Sequence, residues 1–82
     1  MRQNYSTRKK NLVGPRVRLA RAGAKPSLTQ AELSARLELG GVRIDRPGIS
    51  KIENQERIVT DIELVALANA LRVSIGWLLG TE

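Results

Sequence analysis

The sequence predicts an all-α fold, a compact bundle of five short helices, on three observations. The first is a helix-start signal that recurs four times: an apolar residue, a capping residue, and a second apolar residue four positions after the cap. The sets are Leu28/Thr29/Leu33, Ile44/Asp45/Ile49, Val59/Thr60/Leu64 and Val73/Ser74/Leu78. In each, a side-chain oxygen can take a backbone N–H that the first turn leaves unpaired, while the flanking apolar pair closes as a staple. The second is composition. Phe is absent, aromatics are nearly so, and the apolar residues are mostly Leu, Val, Ile and Ala, which suit helices better than a sandwich or barrel. The third is length, because 82 residues hold one domain with one small core and leave no room for a second.

Residues 1–11 are polar and basic and lack an apolar period, so they are expected to form a disordered arm, with the domain over residues 12–82. Val13, Val17 and Ala20 fall at helical spacing, and Pro15 is tolerable in a first turn, which predicts a first helix over Gly14 to Ala22. Gly23 to Ser27, with Pro26, ends it. A second helix starts at Gln30 behind the Thr29–Glu32 capping box and stops at Leu37 or Leu39, before Gly40-Gly41, a pair suited to left-handed capping geometry. The third helix covers Arg46 to Glu53 behind Asp45. The fourth covers Asp61 to Leu71 behind the Thr60–Glu63 box, and the fifth Ile75 to Leu79 behind Ser74. The expected core is Val17, Leu33, Leu37, Ile49, Ile52, Leu64, Leu67, Leu71, Val73, Trp77 and Leu78.

With neither Cys nor His, the chain can build no disulfide framework, no thiolate or imidazole metal site and no Ser-His or Cys-His pair. Glu32, Asp45, Glu53 and Asp61 all have capping or pairing explanations, so no enzyme and no cofactor is expected. No apolar run approaches the roughly 20 residues of a membrane span, and no apolar segment follows the basic start as a secretory signal would require. A cytoplasmic protein without a membrane partner is implied.

The net charge of +6 is unevenly spread. Arg2, Arg8, Lys9, Lys10, Arg16, Arg18, Arg21 and Lys25 all precede the first acid, Glu32, so the first 27 residues carry +8 and the remainder −2. Such asymmetry fits a polyanion, with nucleic acid ahead of an anionic membrane because the basic residues do not sit on an aromatic-bearing amphipathic helix.

Four segments together resemble the phage repressor and Cro family of helix-turn-helix regulators. They are Arg16-Val17-Arg18-Leu19-Ala20-Arg21, Leu28-Thr29-Gln30-Ala31-Glu32-Leu33, Ile49-Ser50-Lys51-Ile52-Glu53-Asn54, and Leu67 to Ser74 leading to Trp77-Leu78-Leu79. The resemblance implies a lambda-repressor-like DNA-binding domain whose third helix lies in the major groove while helix-two N-terminal groups grip phosphates. On that placement Arg46, Pro47, Ser50 and Lys51 face base edges, and Arg46 and Lys51 are long donors suited to guanine O6 and N7. Gly48, a poor helix former by about 1 kcal/mol, would let the backbone approach DNA closely.

Gln30, Arg43, Asn54 and Arg57 are the phosphate candidates implied. Gln30 would also brace the reading helix, or else be an ordinary first-turn residue. Asn54 is a phosphate contact or only the left-handed cap, since Gln55 stands where relatives carry Gly. Arg21 and Glu53 match positions that form an ion pair between helices one and three; the alternative is two solvated charges. Arg16 and Arg18 are read as surface. Ile58, Trp77 and Leu79 are candidates for a homodimer contact on DNA, or Trp77 and Leu79 only close the core. The segment Glu38 to Ile44 is longer than the family's usual turn. The function implied is a sequence-specific regulator of transcription on double-stranded DNA, a repressor acting by operator occupancy, cytoplasmic at the nucleoid and without a small-molecule effector. The alternative is an antitoxin-like or adaptor protein that binds another protein; toxin-neutralising members carry an added segment, which separates the two.

Overall fold

Helix boundaries follow the caps. A computed structural model describes residues 9–82, and within them the helices are α1 (Gly14–Gly23), α2 (Gln30–Leu39), α3 (Arg46–Glu53), α4 (Asp61–Leu71) and α5 (Ile75–Leu79), with no strand among the described residues. Thr29 Oγ1 accepts the Glu32 N–H at 3.0 Å while Glu32 accepts the Thr29 N–H at 2.8 Å, and Thr60 and Glu63 repeat the exchange at 3.1 and 3.0 Å. Asp45 takes the Gly48 N–H at 2.8 Å and Ser74 the Trp77 N–H at 3.0 Å. All four sequence-derived caps are thus made.

The end of α3 differs from expectation, while that of α2 does not. Gln55 itself takes the left-handed conformation after α3, at φ 62, and Asn54 does not, at φ −89. The Glu56 N–H then closes on Lys51 O at 2.8 Å, and the Gln55 amide donates to Asn11 O at 3.0 Å, a tie that a Gly there could not make. After α2, Gly41 supplies the left-handed residue at φ 90.

Asn11, grouped with the arm on composition, is part of the folded unit. Its Oδ1 accepts the Gly14 N–H at 2.8 Å, doing for α1 the capping that Val13 cannot. Its Nδ2 donates to Ile52 O at 3.1 Å and Arg57 O at 2.8 Å, and the Lys10 N–H donates to Gln55 O at 3.0 Å. The rest of the expected arm, Arg2 and Arg8 included, lies outside the described residues.

The α2–α3 pair sits against the remaining helices, with α1 packed on α3, α4 and α5, and α2 on α4. Val17, Leu33, Leu37, Ile49, Ile52, Leu67, Leu71 and Leu78 are buried as expected. Leu64, Val73 and Trp77 are only half-buried, packed at the edge of that core. Their places inside are taken by Val13, Leu28, Ile44 and Ala68. Leu28 and Ile44 are the residues before the caps of α2 and α3, so staple residues do core work here. Burying such side chains contributes about 1.5–3 kcal/mol each, before the opposing chain entropy is counted.

Candidate nucleic-acid interface

The inner side of α3 is fixed by one buried carboxylate. Helical spacing turns Ile49, Ile52 and Glu53 inward, and the Glu53 side chain has no exposed surface. Arg21 Nε and Nη2 donate to its two oxygens at 2.6 and 3.0 Å, Gln30 Nε2 donates at 3.1 Å, and Arg18 Nε lies at 3.4 Å. Burial pushes the Glu53 carboxyl up, but the Arg21 and Gln30 hydrogen bonds, the Arg21 charge and the Arg18 bond outweigh it and hold the group below its ordinary range. The Glu53 hydrogen bond correspondingly raises the Arg21 guanidinium against its own desolvation. The expected Arg21–Glu53 pair is therefore a buried knot joining α1, α2 and α3, with Gln30 as the brace from α2.

The outer side of α3 carries Arg46, Pro47, Lys51 and Asn54 exposed and Ser50 half-buried. Among the described residues no carboxylate lies within ion-pair distance of Arg46 or Lys51. Their charges are free for an external acceptor. Pro47 and Lys51 also line an open groove of about 640 Å³ that continues past Lys10, Arg57 and Ile58 to the start of α4. Lys10 joins this face only because Asn11 is stapled to α3, which local composition could not reveal.

Gly48 also has a reason within the protein. A Cβ there would stand 3.0 Å from Asp45 Oδ1 and from Ile44 Cγ2, so the missing side chain clears the helix cap and staple. The poor helix former is explained from inside the protein.

The phosphate candidates divide. Arg43 is highly exposed and among the described residues meets only Glu38, at 3.4 Å, across the turn between α2 and α3. That turn is tied to α2 by Ser34 Oγ, which donates to Ile44 O at 2.6 Å. Gln30 uses one amide hydrogen on Glu53 and keeps another. Arg57 is engaged: its fork donates to both Glu63 oxygens at 2.8 Å each, and it reaches Ile58 O at 3.0 Å. This bond is the main reason the Glu63 carboxyl lies below its ordinary range. Asn54 accepts at Oδ1 from Arg18 Nη2 at 3.1 Å. Arg18, expected at the plain surface, thus belongs to the site.

Of the dimer candidates, Ile58 is 67% exposed; Ile62 and Val65 on α4, which the sequence pattern did not single out, are exposed too. Trp77 and Leu79 are half-buried against the core. Arg16 lies 4.7 Å above the Trp77 ring and donates to Trp77 O at 2.9 Å, so this arginine pins α5 to α1.

Among the described residues no cluster of acidic groups could hold a metal ion, and no helix is long and apolar enough to cross a membrane. In comparisons with known proteins, residues 17–78 match the family described as helix-turn-helix. No curated protein and no solved structure matches the chain.

Proposed function

The chain belongs to the helix-turn-helix family of the Cro and phage-repressor type, DNA-binding regulators of transcription, and from that premise we propose that it reads a specific double-stranded sequence and represses by occupying an operator. The observation that carries the reading is the two-sided build of α3. Its inner face is held by Glu53 and two isoleucines, while Arg46 and Lys51 project from the outer face without acidic partners among the described residues. Rigid support behind and free donors in front are what base-edge recognition in a major groove requires.

Arg46, Pro47, Ser50 and Lys51 face the bases. Arg43, Asn54 and the second amide hydrogen of Gln30 take phosphates, and Arg57 joins them only by leaving Glu63. No step of chemistry is involved, and no cofactor or small effector enters. Such a protein works in the cytoplasm, at the nucleoid.

The exposed apolar surface at Ile58, Ile62 and Val65 supports a homodimer on DNA. The same surface is what an antitoxin-like or adaptor role would use toward another protein. Selection of bound sequences from a random duplex pool, followed by footprinting, separates the cases. A palindromic consensus with half-site centres about 34–36 Å apart is expected for the dimer. One short asymmetric footprint would sink the dimer, and a pool without enrichment would sink the operator reading.

A further inference from the structure

We infer that Arg18 is a positioning residue for Asn54, setting which end of the Asn54 amide faces the nucleic acid. The inference rests on the DNA-binding reading above. A side-chain amide has an accepting oxygen and a donating nitrogen, whereas a phosphate oxygen only accepts. Asn54 therefore serves a phosphate only with Nδ2 turned outward, and an exposed amide left to itself samples both orientations. Arg18 removes the choice. A guanidinium has donors and no acceptor, so the Asn54 atom it meets has to be Oδ1, and Nη2 lies 3.1 Å from it. Among the described residues no acceptor lies within hydrogen-bond distance of Asn54 Nδ2, which is left free to donate.

Arg18 is itself held in place. Its Nε lies 3.4 Å from Glu53 Oε1, and Glu53 is anchored by Arg21 and Gln30. Arg18 and Arg21 stand one turn apart on α1, so they reach the consecutive residues Asn54 and Glu53 at the end of α3. A chain of donors thus runs from the buried knot to the exposed amide. The Arg18 side chain is 54% exposed, so the competing role is a direct phosphate contact of its own.

The test uses Arg18→Met, Asn54→Ala and the double variant of the full chain, titrated with a duplex taken from the random-pool selection. Asn54→Ala should weaken binding about tenfold, one charge-assisted hydrogen bond, and Arg18→Met by nearly as much. The double variant should be no more than about twofold weaker than Asn54→Ala, because the two residues act as one unit. The salt dependence of Arg18→Met should match the parent's. A double variant showing the product of the single losses, with the log-log salt slope flattened by about 0.9, would make Arg18 a direct phosphate contact and overturn the inference. Unchanged binding by Arg18→Met beside a weakened Asn54→Ala would overturn it as well. A harmless Asn54→Ala removes the Asn54 phosphate reading and this inference with it, leaving the Arg46 and Lys51 reading standing.

Glu53 keeps the Arg21 and Gln30 donors in Arg18→Met, so this variant should unfold within a few degrees of the parent. Arg18→Lys, which retains one donor for Oδ1, guards against misfolding and should bind within about threefold of the parent. A lysine variant as weak as the methionine one would count against positioning.

Discussion

Replacing Arg21 by Met should remove much of the molecule's margin of stability without touching the outer face of α3. The substitution deletes the hydrogen bonds of 2.6 and 3.0 Å to Glu53 and the 2.9 Å bond to Leu28 O, and leaves a carboxylate with no exposed surface. Breaking one partner of a buried pair costs about 3–5 kcal/mol, because the remaining charge stays desolvated. Gln30 and Arg18 still donate to Glu53, at 3.1 and 3.4 Å, which sets the loss at the lower end, about 3 kcal/mol. A domain of this length holds roughly 4–12 kcal/mol in all, so the loss is a large share. Urea unfolding should show a lower midpoint at unchanged slope, and the thermal midpoint should fall by roughly 12–24 °C. Adding Glu53→Gln should recover about half, since a neutral amide oxygen can still accept from Gln30 and Arg18. A loss under about 1 kcal/mol for Arg21→Met would place the pair with solvated surface bridges and refute the buried anchor.

Arg46→Ala and Lys51→Ala should each cost roughly 1–3 kcal/mol on the selected duplex and relax preference at one base pair, read by repeating the selection with each variant. Unchanged consensus in both would remove them as base readers. Acid should destabilise the fold through Glu53 and Glu63. Both carboxyls are held below the usual value of 4.5 in the folded state, so near that pH the unfolded chain binds more protons. Their stabilisation is complete above the usual value and fades as pH falls through the lower folded one. Thermal midpoints measured from pH 7 to 3 should therefore drop on the acid side, and Glu53→Gln should flatten that drop; equal curves for parent and variant would contradict the assignment. Deleting residues 1–8, which carry Arg2 and Arg8 but spare Lys10 and Asn11, should flatten the log-log salt dependence of DNA binding by up to about 0.9 for each phosphate these arginines neutralise. An identical slope would show that their charges do not reach the duplex.

The helix starts were legible because a cap is a local device. Thr29 with Glu32 and Thr60 with Glu63 carry their bonding partners three residues away, and both reciprocal pairs form. The Arg21–Glu53 pair was legible only through the family resemblance, since nothing in either neighbourhood announces a partner 32 residues off. Much of what escaped is of that second kind. Asn11 bonds to Ile52 and Arg57 across 41 and 46 residues, and a polar residue in a basic stretch gives no sign of it. Arg16 over Trp77 spans 61 residues. The left-handed turn after α3 falls on Gln55 although Asn has the better intrinsic preference for it, because the Gln55 amide also ties Asn11. Gly48 reads outward in the sequence because the cap-and-staple pattern names Ile44 and Asp45 without showing how closely they approach its Cβ direction. Arg57 points to phosphate by charge alone, and Glu63 already holds it.

The most direct measurement is amide and side-chain chemical-shift mapping of the full chain on titration with the selected duplex. The two-sided α3 requires the largest shifts at Arg46, Ser50, Lys51 and Asn54, with Gln30 and the Arg43 turn next. Shifts concentrated on α4 and α5, with Arg46 and Lys51 unmoved, would contradict DNA reading by the outer face of α3.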